Sequence, residues 1–382
     1  MEIKIPFLRP LFPNKDEILH HFSSVLNSGM LTLSSETEAL EDNVKKYCNV
    51  KYAVATSNGS QGLIMLLSTL EPGTTVILPA YSFGATFQAV SWNAHLNFSF
   101  VDVDSSGLID LTLLEESLSD ISGPKAILAV HMYGNPAKIN ELEKLSNRYN
   151  ATLFFDSAHG LGSRYFGKTL GASGDAEVFS LGITKCLPAG EGGVITTNRQ
   201  DLYILMMQAR IHGKIPSTNL WESPLDFGFD GLNARPTEFN MALANCLFPY
   251  LDSWIKDRNL IASIYSSKLI FSPITAVQSE NLCSYKDYVI SVGKTRGDKL
   301  SLMKELLLKY GIQTKEYYYP SLPNLSILER YSSRNKSLQS IYPIASKLAD
   351  TACAIPIYPL LQEADIQYIV ESINTAGDNI RD

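Results

Sequence analysis

From about residue 50 to residue 200, short apolar runs alternate with longer stretches of helical periodicity. "YAVAT" is followed by "SQGLIMLLSTL", "TVILPA" by "GATFQAVSWN", and "LNFSFVDV" by "DLTLLEESLSD". "KAILAVHM" then leads into "INELEKLSNRYN" and "ATLFFDSA". The short runs are apolar at nearly every position rather than at every second one, as in strands covered on both faces. Such strands, separated by helices, predict an α/β fold with a mostly parallel central sheet flanked by helices. In these sheets ligands collect in the loops after the carboxyl ends of the strands. That directs attention to "TSNGS", "PAYSF", "HMYGN" and "DSAHG".

The later chain has a different rhythm. "MALANCLFPYLDSWIKDRNLIASIYSSKLI" reads as a long helical segment that Pro249 should kink or divide, because proline lacks the N–H and crowds the preceding turn. Beyond it, "DYVISVG", "KLSLMKELLLKYG", "IQTKEYYY" and "EADIQYIVESI" suggest a smaller α+β unit. The expected division is a large unit over residues 1–250 and a small C-terminal unit over residues 251–382. No solenoid repeat or low-complexity tract interrupts this plan.

At 382 residues, with 45% hydrophobic and 19% charged, the chain has ample material for a core. Its 32 basic and 39 acidic residues, net −7, argue against a nucleic-acid partner, and no Lys/Arg-rich run reverses that. Prolines and charges break the first residues, "MEIKIPFLRPLFP", so a secretory signal is not expected. No apolar stretch is long enough to span a bilayer. The five cysteines are scattered and odd in number, which argues against a disulfide framework or a zinc site. A cytoplasmic protein with no metal is the expectation.

Four stations could carry chemistry. In "ATSNGSQGL" a strand runs into a helix N-terminus whose free N–H groups favour an anion. Gly59 permits close approach, and Ser60 either caps the helix or bonds a phosphate oxygen. Alone, a plain cap is the better explanation. In "PAYSFGAT", Tyr81 or Phe83 could stack on a planar ligand, although alone core packing is the better explanation of both. In "LFFDSAHG", Asp156 ends a strongly apolar strand and needs a cation, several N–H donors, a helix N-terminus or a protonated ring nitrogen. His159 follows it, as a ligand group or a hydrogen-bonded core histidine. In "FSLGITKCLPAGEGG", Lys185 stands alone among apolar and small residues, 29 positions after Asp156, with room for one further helix and strand between them. An apolar setting favours the neutral amine, the form that attacks carbonyls. Taken singly, each has a structural explanation. As an ordered set they supply what pyridoxal phosphate requires: an anion site, a ring face, a partner for the pyridinium nitrogen and an amine.

The ordered set resembles the sugar aminotransferases of the DegT/DnrJ/EryC1/StrS family, within the fold-type I pyridoxal-phosphate enzymes. The likeness runs from "IPFLRPLFP" through "VLNSGMLTLSSETEALEDNVKKYCNVKYAVATSNGSQGL", "VHMYGNPAKINEL", "DSAHGLGS" and "GDAEVFSLGITKCLPAGEGGVITT" to "GLNARPTEFNMALA" and "IPIYPLLQEADIQYIV". It implies that residues 1–250 bind the cofactor and that Lys185 forms the Schiff base and carries protons. Asp156 would hold the pyridine nitrogen protonated, Phe83 would lie on the ring, and His159 would stand near its phenolic oxygen. Gly59, Ser60 and Ser180 would bind the phosphate, and Asn233 would reach the phosphate of a neighbouring subunit in a homodimer. Thr32 and Tyr318 or Tyr319 would line the sugar-nucleotide cleft.

The implied reaction moves an amino group from an amino acid, L-glutamate, to a nucleotide-linked keto-sugar by way of pyridoxamine phosphate. The amino sugar would serve polysaccharide or secondary-metabolite synthesis. Departures from the family pattern include "SNGS" in place of a Gly-Thr ending and the missing histidine near "YYYPSLP". The alternatives are a dehydratase of the same fold, whose branch replaces the lysine with histidine, and a non-catalytic regulatory or scaffold relative. A general amino-acid aminotransferase would want a carboxylate-binding arginine, for which Arg210 and Arg235 are candidates.

Overall fold

Every apolar run of the 50–200 region forms a strand with little or no exposed surface. The computed structural model describes residues 2–215, 226–275, 277–336, 341–378 and 380. In chain order the strands are β1 (Tyr52–Thr56), β2 (Thr75–Pro79), β3 (Asn97–Val101), β4 (Lys125–Val130) and β5 (Thr152–Asp156). A small hairpin, β6 (Arg164–Tyr165) and β7 (Lys168–Thr169), precedes β8 (Ala176–Ser180) and β9 (Gly193–Thr197). The main sheet has the order β1-β9-β8-β5-β4-β2-β3. Its neighbours are parallel except around β9, which runs antiparallel to both β1 and β8. Helices Gly59–Leu67, Gly84–Trp92, Leu111–Asp120 and Ile139–Tyr149 connect successive strands, so the carboxyl ends of β1, β2, β4, β5 and β8 lie along one edge.

Two stretches depart from expectation. Between Asp156 and Lys185 there is no helix; the hairpin β6–β7 and then β8 occupy that interval. The hairpin turns through Phe166 and Gly167, both with positive φ (46° and 78°), as a tight two-residue connection requires. "IQTKEYYY" contributes only β11 (Lys315–Glu316), which pairs with β12 (Ala352–Ile355) in a three-stranded antiparallel sheet that also holds β10 (Tyr288–Ser291). Pro249 sits in a 3-10 turn, Phe248–Tyr250, that separates helix Glu238–Leu247 from helix Leu251–Lys268.

Two hydrophobic clusters accompany the two sheets. Helix Leu251–Lys268 belongs to both: Leu251, Trp254 and Ile255 pack with the first, and Ile261, Ala262 and Tyr265 with the second. The chain's start also joins the second cluster. Ile5 is buried there, and the N–H groups of Lys4 and Ile5 donate to Gly311 O at 3.0 and 3.1 Å. Among the described residues no helix is long and apolar enough to cross a membrane.

Candidate active site

Along the carboxyl edge of the main sheet lies a cavity of about 510 Å³. After β1 the chain enters helix Gly59–Leu67, and Asn58 caps it: the Asn58 side chain accepts the Gln61 N–H at 2.8 Å. Ser60 is therefore not the cap. It is exposed and lines the cavity beside Gly59. The helix start presses against the end of β8 and the start of β9. A Cβ on Gly59 would lie 3.0 Å from Ser180 Cβ, and one on Gly193 would lie 2.7 Å from Asn58 C and Gly59 N. Glycines at these two positions let the free N–H groups of the helix approach the Ser180 hydroxyl, a cradle of donors for an anion.

After β2, Tyr81 and Phe83 part ways. Tyr81 is fully buried, its hydroxyl bonded to Tyr133 Oη and Tyr317 O at 2.6 Å each. Phe83 is 58% exposed and lines the cavity, 5.7 Å from the Tyr318 ring. Core packing thus explains the first aromatic, whereas the second offers a ring face.

Asp156, at the end of β5, is buried and also lines the cavity. Its Oδ2 accepts the Thr86 hydroxyl at 2.7 Å and its Oδ1 the Ala158 N–H at 3.1 Å. Burial raises its pKa, while those two donors and the charges of Lys185 and His131 pull it back. A carboxylate balanced in this way is stabilised by a further cationic N–H. His159 accepts the Tyr133 N–H on Nδ1 at 3.2 Å, so in the neutral ring the proton sits on Nε2. Burial, then the charges of Lys185 and Lys286, hold its pKa well below the usual value.

Lys185 lies in the β8–β9 connection, where its N–H donates to Gly182 O at 2.9 Å and closes a tight turn. Burial is the main cause lowering its pKa to about 8; Lys286 lowers it further, and Asp287 and Asp156 oppose. Cys186, beside it, is buried with its thiol near Ser284 O and serves packing.

The structure therefore gathers Gly59, Ser60, Phe83, Asp156, His159, Ser180, Lys185 and Tyr318 around one cavity. Tyr319 is not among them: its ring lies under the Arg296 guanidinium, 3.7 Å from the centroid. Tyr317 lines the cavity in its place. Thr32, bridged to Thr237, and Asn233, bridged to Ile211, are exposed and lie outside this chain's own cavity. Among the residues of the site that escaped the sequence are Lys286, Lys315 and Tyr317, which line the cavity, and Thr86, which holds Asp156. Of these four, Lys286 carried a local signal, a lysine inside the apolar run "LCSYKDYVI".

Residues 13–374 match the DegT/DnrJ/EryC1/StrS aminotransferase family, and the chain belongs to that family. It is 29% identical over 363 residues to the pleiotropic regulatory protein of Geobacillus stearothermophilus, covering 94% of each chain. To the dTDP-3-amino-3,6-dideoxy-alpha-D-galactopyranose transaminase of Aneurinibacillus thermoaerophilus it is 27% identical over 366 residues, covering 94% of this chain and 95% of that one. Among solved structures, Helicobacter pylori PseC, an aminotransferase involved in the biosynthesis of pseudoaminic acid, shares the fold. It superposes with a TM-score of 0.88 at 22% identity, over 99% of this chain and 100% of its own. Enzymes of this family use pyridoxal 5′-phosphate. The cavity's donor cradle, exposed phenyl ring, buried carboxylate and depressed lysine fit that group.

Proposed function

We propose that the protein transfers an amino group from L-glutamate to a nucleotide-linked keto-sugar, as a pyridoxal-phosphate-dependent aminotransferase. The observation that carries this is the meeting of Asp156 and Lys185 in one cavity beside the cradle after β1. The named transaminases among the relatives supply the substrate class. When bound, the cofactor contributes an aldehyde that accepts the amine and a ring that withdraws electrons from the bond being broken.

The chain's own residues divide the remaining work. Lys185, with its lowered pKa, is the amine for the aldehyde and the base that moves a proton at the substrate carbon. Asp156 keeps the ring nitrogen protonated, and its hydrogen bonds from Thr86 and Ala158 keep it oriented. Phe83 would lie against the ring, and His159 would stand with its Nε2–H free to meet the ring's phenolic oxygen. The first N–H groups of helix Gly59–Leu67, with Ser60 and Ser180, would hold the phosphate. In a homodimer Asn233 reaches the neighbouring subunit's phosphate, while Thr32 and Tyr318 line the sugar-nucleotide cleft. Residues 1–250 act as the cofactor-binding unit and 251–382 as the smaller unit, in a cytoplasmic protein.

The test is direct. The purified protein should show the visible absorbance of lysine-bound cofactor, bleached by L-glutamate and restored by a nucleotide-linked keto-sugar. The product should gain an amine by mass. A product that instead loses oxygen would place the protein with the dehydratases; bleaching by no amino acid would place it with non-catalytic relatives.

A further inference from the structure

An aminotransferase of this kind must recognise, in one cavity and in turn, the carboxylates of an amino acid and the diphosphate of a nucleotide sugar. Neither candidate arginine lines this chain's own cavity. Arg210 is buried and donates to Glu41 Oε1 at 2.6 Å and Ala55 O at 3.0 Å, and Arg235 does not line the cavity. Among the described residues of this chain, the cations that line it are Lys185, Lys286 and Lys315. Lys185 is committed to the cofactor, which leaves the other two.

Their settings differ. Lys286 is buried, and its Nζ donates to Asp287 Oδ2 at 2.7 Å and to Tyr317 Oη at 3.3 Å. An ammonium has three donors, so one N–H of Lys286 remains for a ligand. It lines the same cavity as Lys185 and His159, and its charge lowers the pKa of both. A buried ion pair adds little stability over an apolar pair of the same size, so packing alone does not account for it. Lys315 is exposed and has no carboxylate within ion-pair distance among the described residues. Its Nζ lies 5.6 Å from the Tyr317 ring centroid and 5.3 Å from that of Phe7. Lys286 Nζ lies 5.0 Å from the same Tyr317 ring, so one tyrosine adjoins both ammonium groups.

We propose that Lys286 binds the α-carboxylate of the amino-acid donor, and Lys315 binds the distal anion that both substrates carry. That distal anion is the side-chain carboxylate of the donor or the diphosphate of the nucleotide sugar. An α-carboxylate is attached to the reacting carbon, so its cation must stand near Lys185, as Lys286 does. The keto-sugar has no such group; Asp287 then keeps Lys286 neutralised while the uncharged sugar ring occupies the same space. The distal anion arrives further out, where an exposed cation without a carboxylate partner is needed. This inference rests on the nucleotide-sugar aminotransferase function proposed above.

The experiment uses the cofactor-loaded protein and calorimetric titration with glutarate, which cannot react, and with UDP, dTDP and GDP. Lys315→Gln should weaken glutarate and the preferred nucleoside diphosphate each by about 10-fold or more, the scale of a charged hydrogen bond, and Lys315→Arg should restore both. The double variant Lys286→Gln, Asp287→Asn leaves no lone buried charge. It should weaken glutarate by about 10-fold and leave the nucleoside diphosphate within about two-fold. Nucleoside diphosphate binding unchanged in Lys315→Gln, or lost equally in the double variant, would overturn the inference while the proposed function stands. A wild-type protein that is bleached by glutamate yet binds no nucleoside diphosphate would overturn that function and the inference with it.

Discussion

Lys185 is flanked by Thr184, Cys186 and Leu187, and burial with the nearby Lys286 charge brings its pKa from 10.5 to about 8. The neutral amine therefore grows as pH rises through about 8. We predict that cofactor-free protein captures the aldehyde faster with rising pH, half-maximally near that value and level above it. Stopped-flow visible absorbance reads this directly; a rate still climbing toward 10.5 would contradict the assignment. Lys185→Ala should give no lysine-bound absorbance and lose about 10²–10⁴ in turnover. Thr86→Val removes one donor from the Asp156 carboxylate. It should cost about 1.5–3 kcal/mol in urea unfolding of the cofactor-free protein at neutral pH. The cost should shrink as pH falls through the raised Asp156 pKa, because a protonated acid depends less on the donor. The signal that singled out Lys185, a lysine in an apolar run, also marks Lys286. There the next residue is Asp287, and adjacent opposite charges look like a solvated pair; only the fold shows both side chains 3% exposed.

At the scale of elements, the strand-to-helix junction after β1 depends on a cap and a glycine contact. Asn58→Ala removes the cap on helix Gly59–Leu67 and should destabilise the protein by about 0.5–2 kcal/mol. Gly193→Ala pushes a methyl group toward backbone atoms of Asn58 and Gly59, which cannot give way as a side-chain tip would. We expect about 1–3 kcal/mol lost in unfolding and weaker cofactor binding, because the cradle is forced open. If Gly193→Ala bound cofactor as the wild type does, the cradle would not be the phosphate site. The alternation of apolar runs and helical periods announced these elements because it is a local pattern. The hairpin before β8 was not announced: its strands are two residues each, too short to show a period.

For the whole molecule, the proposed homodimer makes a sharp demand. If Asn233 completes the neighbouring subunit's site, mixing Lys185→Ala chains with Asn233→Ala chains yields mixed dimers holding one intact site. Random exchange should then restore about a quarter of wild-type turnover per subunit, although neither parent variant approaches it. Turnover no better than the parents' average, with dimer exchange verified by native mass spectrometry, would remove Asn233 from the shared site. The sequence by itself determined the α/β plan and the order of the stations. Gly59 and Phe83 follow strands and Asp156 and Ser180 end theirs, and parallel strands joined by helices place those ends on one edge. Tertiary structure alone decided that Asn58 rather than Ser60 caps the helix, and that Tyr317 rather than Tyr319 faces the cavity. It also brought Lys286 and Lys315 to Lys185. Hydrophobic periodicity reports each element's own buried face, whereas contacts across a hundred residues arise only when the two cores pack together.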